Sequence, residues 1–342
     1  MVRMVTPQAG PSPEPTNIHD SGLECVFRRV ADVALWVPDH DVISAGVGQD
    51  GDLLALATTK AASEHAVAKT MSPGGAEFPT TRTDQPYRAT LVHLNQDGEL
   101  ANYLELPETF VAHPRIQPLP EGRYLVAGAR THRFKDGSFE KNGYVYGTDG
   151  RVEGNFLMGD GIAEVQCDSA GNIWTSYFDE GIFGNYGWTE PLGASGLVCF
   201  DLEGQIRWRF RPPDGFDSIA DCYALNAVSP SEVYVYYYGD FAVMRISEEG
   251  PIEAWRTPIN GSAAIAVFAG HAALFGSYDE RDRLFTGQLA SPGLIHIRRH
   301  RFVFEGVDRP VGPGKMQGRG PRFARMVGTR WYLYDMRELF AA

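Results

Sequence analysis

The chain has 342 residues, of which 43% are hydrophobic, with 38 glycines, 22 prolines and a net charge of −12. That apolar share is ordinary for a packed protein and excludes wholesale disorder. The negative balance argues against general affinity for nucleic acid or anionic membranes. No run approaches the roughly 18 apolar residues of a membrane-crossing helix. The opening stretch MVRMVTPQAGPSPEPTN lacks the apolar segment of a secretory leader. Cys25, Cys167, Cys199 and Cys222 form no CxxC pair, so they read as reduced residues of a cytoplasmic protein, and Cys167, Cys199 and Cys222 lie in apolar runs suited to a core.

In chain order, residues 1–20 form a Pro-rich tail expected to be disordered, and residues 21–342 form one domain. Within it one unit recurs: strand, turn, strand, loop, then a second strand–turn–strand. AEVQCDSAGNIWTSYF (163–178) followed by GLVCFDLEGQIRWRF (196–210) is its clearest copy. Alternating apolar and polar residues mark the strands, and xDG or xEG marks the turns. First hairpins turn near Gly51, Gly122, Gly171, Pro230, Gly270 and Gly328. Second hairpins turn at 95–98, 147–150, 201–204, 247–250 and 290–293, with their glycines 43 to 54 residues apart. Six first hairpins meet five second ones. The N-terminal stretch LECVFRRVADVALW (23–36) is therefore expected to partner RFARMVGTRWYLYDM (322–336) and close a ring, which removes open sheet edges.

This plan resembles a six-bladed β-propeller with four antiparallel strands per blade, as in the lactonase, strictosidine-synthase-like and NHL groups. The resemblance is one of repeat plan over residues 23–340; no WD dipeptide, kelch double glycine or tachylectin pattern accompanies it. A two-domain sandwich is the competing all-β fold, but the period runs through the middle without a linker.

The short turns fall on one face of such a disc. The long segments fall on the other: 60–88, 107–114, 131–142, 179–195, 211–221, 257–262, 277–283 and 305–321. Long loops on a rigid scaffold are where binding residues sit. Innermost strands starting at that face place His40, Asp41, His113, Arg115, Glu164, Asp221, Tyr223, Ser262 and Arg322 toward the axis. Glu164, His113 and Asp221 are the candidate acid–base groups. Arg115, Arg322, Arg319 and Lys315 are candidate holders of an anion. The same polar residues would otherwise hydrogen-bond one another and trapped water.

Loop 176–193 carries Asp179, Glu180, Asn185, Tyr186 and Trp188 as candidate ligand contacts, and Tyr278 lies in the related phrase SYDERDRLF (277–285). Asp–Gly turns and Asp–Arg staples are the structural alternative for both phrases, and the first loop is the one read as ligand-facing. The insert 60–88 reads as a lid or a partner contact. HIRRHRF (296–302) reads as an outer strand whose charges protect an edge.

The propeller resemblance implies a divalent cation, Ca²⁺ or Mg²⁺, at the channel mouth, held by Glu164 and Asp221 with help from Asp41 or Asn226. Arg115 and Arg322 at comparable places disfavour it unless an anionic ligand bridges them. The residues themselves call for no certain cofactor. There is no P-loop spacing, G-x-S-x-G, HExxH or dinucleotide fingerprint. Two functions follow: a hydrolase, lyase or isomerase acting on a small polar or anionic molecule, or a non-catalytic propeller that binds another protein. Neither involves nucleic acid or membrane.

Overall fold

The computed structural model describes residues 17–185, 188–247, 250–308 and 315–340. The fold is an all-β propeller, and its sheets form a nearly closed ring. Three antiparallel sheets of four strands come first. One runs through His40–Val47, Leu53–Thr59, Thr90–Leu94 and Leu100–Glu105. The next runs through Pro114–Pro118, Tyr124–Gly128, Gly143–Tyr146 and Val152–Phe156, and the third through Ile162–Cys167, Ile173–Tyr177, Leu197–Phe200 and Ile206–Arg209. Lys69–Met71 and Glu77–Pro79 pair as a separate two-stranded sheet, and the other strands join in one twelve-stranded sheet. It contains the antiparallel runs from Asp221–Ser229 to Gly250–Arg256 and from Ala264–Phe268 to Gly293–Phe304.

Side chains in the second strand of each sheet explain why the sheets stack. Leu53 to Ala57, Ile173 to Tyr177 and Val233 to Tyr237 are buried on both faces, and aromatic and β-branched residues fill the wedges between neighbouring sheets. The strands beginning at His40, Pro114, Ile162, Asp221, Ala264 and Gln317 touch one another in that order around an axis, and the last touches the first. Five of these six are the innermost strands expected from the turn pattern.

The sixth differs. The hairpin around Gly328 pairs Arg322–Val327 with Arg330–Asp335, but Gln317–Arg319 lies inside it and pairs through Gln317↔Ala324 and Arg319↔Arg322. The hairpin is thus displaced one strand outward from its expected place. Gly318 permits this, because a Cβ there would lie 1.7 Å from the Ile265 carbonyl oxygen. A three-residue strand containing glycine shows no alternation, so sequence pattern does not reveal it.

The N-terminal strand, His19–Asp32, begins inside the stretch expected to be a tail. It pairs antiparallel with Arg330–Asp335 at Arg28↔Leu333 and Asp32↔Arg330, the ring closure the turn count requires. Its first half also runs parallel to Gly293–Phe304, with Cys25↔Phe302 and Phe27↔Phe304. HIRRHRF is therefore covered rather than an open edge, and Arg299 pairs with Asp20 (2.6 Å) and Glu280 (2.7 Å). All four cysteines are buried and none forms a disulfide. Among the described residues no helix is long and apolar enough to cross a membrane.

Candidate functional site at the channel mouth

Polar side chains from the innermost strands close the axis. In Ile162–Cys167 the alternation that buries Val165 and Cys167 puts Glu164 and Gln166 on the same side of the strand, and both are buried. Gln166 Nε2 lies 2.7 Å from Glu164 Oε1 and within 3.0 Å of the Leu225 and Gly318 carbonyls. Gln166 Oε1 accepts from Ala227 N (2.8 Å) and Arg319 Nη1 (2.6 Å). Arg319 Nη2 also donates to the Cys167 carbonyl. Asn226 Nδ2 donates to Ile265 and Gly320, while its Oδ1 accepts from Gly320 N. These bonds tie four inner strands across the axis, as buried polar groups require.

Two cavities open at the mouth, and Arg115 lines both. One, of about 580 Å³, has Arg115, Asp221, Tyr223, Ser262, Tyr278 and Lys315 in its wall. The other, of about 620 Å³, has His40, Asp41, Ser63, Lys69, His113 and Arg115. The insert 60–88 supplies Ser63 and Lys69 through the helix Lys60–Ala66 and the strand after it. Asp41 is held by the Ser63 hydroxyl (2.7 Å). The insert is thus built into the wall of a cavity.

The electrostatics converge on one cation. Lys315 Nζ lies 3.9 Å from Glu164 Oε2 and donates to the Tyr223 carbonyl at 3.3 Å. Burial pushes the Glu164 carboxyl up, opposed first by Lys315, then by Gln166, Arg115 and Arg319. Burial pushes Asp221 up to about 6, the negative charge of Asp179 adds to it, and Lys315 pulls it down. Burial also lowers the affinity of His113 for a proton. Its Nε2 lies 2.9 Å from the Ala68 carbonyl, an acceptor that fixes the proton on Nε2 and leaves Nδ1 as the ring's acceptor. His113 has a backbone φ of 50°, which few non-glycine residues adopt.

The other expected contacts separate. Arg322 lies at the opposite, short-turn face: it crowds Gly51 and pairs with Asp335 at 3.3 Å. Its expected place at the mouth is corrected by the outward shift of its hairpin. Arg319, buried and bonded to Gln166, belongs to the axial network instead of a cavity wall. Glu180 pairs with Arg130 at 2.5 Å, and Arg130 pairs with Asp160 at 2.9 Å, so Glu180 anchors the short helix Asp179–Phe183. Trp188 stacks on Phe139 with ring centroids 3.7 Å apart, and the Asn185 carbonyl accepts from Trp188 N. Tyr186 lies outside the described residues.

A cation held by Glu164 and Asp221 does not fit these donors. Gln166 takes one Glu164 oxygen, the Lys315 ammonium faces the other, and Asn226 Oδ1 is committed to backbone. Among the described residues no three His, Cys, Asp or Glu side chains are placed to share a metal ion. Lys315 supplies the positive charge instead.

Sequence reasoning missed Arg130, Ser63 and Lys69. Gln166 could have been found, because it falls on the same alternation as Glu164 in AEVQC.

No family model matches the chain, and no curated protein does. Solved structures are similar at low identity. A virginiamycin B lyase from Staphylococcus aureus is 13% identical over 86% of this chain and 95% of its own, with a TM-score of 0.40. A PQQ-bound aldose sugar dehydrogenase from Streptomyces coelicolor is 10% identical over 86% and 96%, with a TM-score of 0.42. Kluyveromyces lactis Hsv2 is 10% identical over 87% and 74%, with a TM-score of 0.44.

Proposed function

We propose that the chain is a six-bladed propeller of four-stranded blades and a cytoplasmic enzyme. Its channel mouth takes a small polar or anionic organic molecule and transforms it by acid–base chemistry of the hydrolase, lyase or isomerase kind. The observation that carries this reading is Asp221. Its carboxyl, pushed up to about 6, stands in the wall of a cavity shared with Arg115 and Lys315. A carboxylate titrating near neutral pH suits proton removal, and adjacent fixed cations suit a developing negative charge.

In this reading Asp221 removes or returns a proton. Arg115 and Lys315 hold the substrate's oxygen anion. Glu164, behind Lys315, keeps that ammonium in place and completes the charge balance. His113 offers Nδ1 as a second base in the adjoining cavity. Tyr223 and Tyr278 pack against the substrate, and Asp179 holds the Asp221 pKa up.

The test is conversion of a panel of small organic acids, esters and lactones, followed by mass spectrometry with wild type, D221N and E164Q. Conversion by wild type that falls at least about 100-fold in D221N, with melting intact, supports the reading. Equal conversion by D221N contradicts the role given to Asp221, and no conversion of any compound by wild type contradicts the enzyme and favours a surface that binds another protein.

A further inference from the structure

Beside Asp221, four aromatic side chains line the 580 Å³ cavity: Phe178, Tyr223, Phe275 and Tyr278. Tyr223 and Tyr278 meet edge to face, with centroids 6.2 Å apart and planes at 79°, and their hydroxyls bond to each other. Outside that lining, Phe241 packs on Tyr278 with centroids 5.8 Å apart and planes at 88°. Pairing the hydroxyls satisfies the polar tips within the protein, so the rings present flat apolar surface. Yet Tyr278 remains 49% exposed.

This arrangement is built in at the backbone level. Gly261 makes room for Tyr278, since a Cβ there would lie 2.2 Å from its ring. Phe241, packed on Tyr278, holds a φ of 48°, a conformation costly for an aromatic residue. The charges in the same wall are Arg115, Arg281 and Lys315 against the single carboxylate of Asp221. A pocket of this size accommodates an organic molecule of one or two rings.

Resting on the reading of this cavity as the substrate site, we infer that its ligand class is a planar aromatic carboxylate. The ring lies against the Tyr223–Tyr278 pair, and the carboxylate is drawn to Arg115 and Lys315. Ring stacking and a charge-assisted contact each contribute to affinity, so a ligand lacking either is discriminated against.

The experiment is calorimetric titration of the full chain with 2-naphthoate, 2-naphthol and cyclohexanecarboxylate. The expected result is 2-naphthoate binding at least about tenfold more tightly than the other two. Y278A should lose about tenfold on 2-naphthoate while Y278F keeps it, with both variants melting as wild type does. Equal binding of cyclohexanecarboxylate removes the ring from the inference, equal binding of 2-naphthol removes the carboxylate, and no binding of 2-naphthoate overturns it. If Y278A does not fold, Y278L takes its place. The two readings fail separately. Ring-selective binding without conversion of any compound leaves the ligand class and removes the enzyme. Conversion of acids regardless of ring leaves the enzyme and removes the ligand class.

Discussion

Lys315 reaches from the connection before the last inner strand to within 3.9 Å of Glu164, a carboxylate in a distant sheet that is only 6% exposed. One ammonium thereby lowers the pKa of both acids at the mouth, the buried Glu164 and the half-buried Asp221. Burying a carboxylate is costly unless a cation or hydrogen bonds accompany it. Lys315 is the cation the two acids share, and Arg115 and Arg319 add to it at Glu164.

Replacing Lys315 by methionine keeps the stem and removes the charge. The Asp221 carboxyl then titrates above its wild-type value of about 6, by about one pH unit. Carbon-13 NMR titration of the aspartate carboxyls reads this directly. An unchanged midpoint would separate Lys315 from the acid pair.

Asp221 also makes stability depend on pH in a defined direction. Between its ordinary value of 3.8 and about 6, the folded chain keeps a proton that the unfolded chain has lost. Stability therefore falls as pH rises through that window, and the carboxylate carries its full cost above it. D221N escapes this cost. Its melting temperature should exceed that of wild type at pH 7.5, with the gap closing toward pH 4. A gap independent of pH would contradict the assignment.

Gln166 is the hub of the axial network, touching Glu164, Leu225, Gly318, Ala227 and Arg319. Q166L preserves size but leaves the Arg319 guanidinium and the Ala227 amide without that acceptor. The expected cost is about 2–4 kcal/mol in urea unfolding. A loss under about 1 kcal/mol would mean that the network relaxes around the change.

The donor set also predicts indifference to chelators. Treatment with EDTA should leave the melting temperature of the purified protein unchanged. A drop of several degrees, restored by Ca²⁺ or Mg²⁺, would show that Glu164 and Asp221 take a cation after all.

How much of this was legible in the sequence depends on which forces act locally. Turns at Gly51, Gly122 and Gly171 are local events, written in a few residues, and the structure has them between the expected strands. The innermost strands that begin near His40, Arg115, Glu164 and Asp221 carry an alternation readable from the chain, so their common location was accessible. Gln317–Arg319 was not, because its place is set by a close approach to the Ile265 carbonyl that only the folded ring creates. That single shift moved Arg322 to the opposite face. Glu180 misled for another reason. An acidic residue in an aromatic loop looks ligand-facing until Arg130, 50 residues away, is seen to take it. Trp188 likewise found its partner, Phe139, in a neighbouring loop.

The most direct test of the channel mouth as the ligand site is the melting of wild type and R115M with millimolar organic anions, 2-naphthoate and succinate among them. Arg115 lines both cavities, and methionine keeps its bulk without its charge. Wild type should melt higher with at least one of these anions, by RT ln(1 + [L]/Kd) in stability, and R115M should lose that shift. A shift of equal size in R115M would place the anion elsewhere and contradict the account.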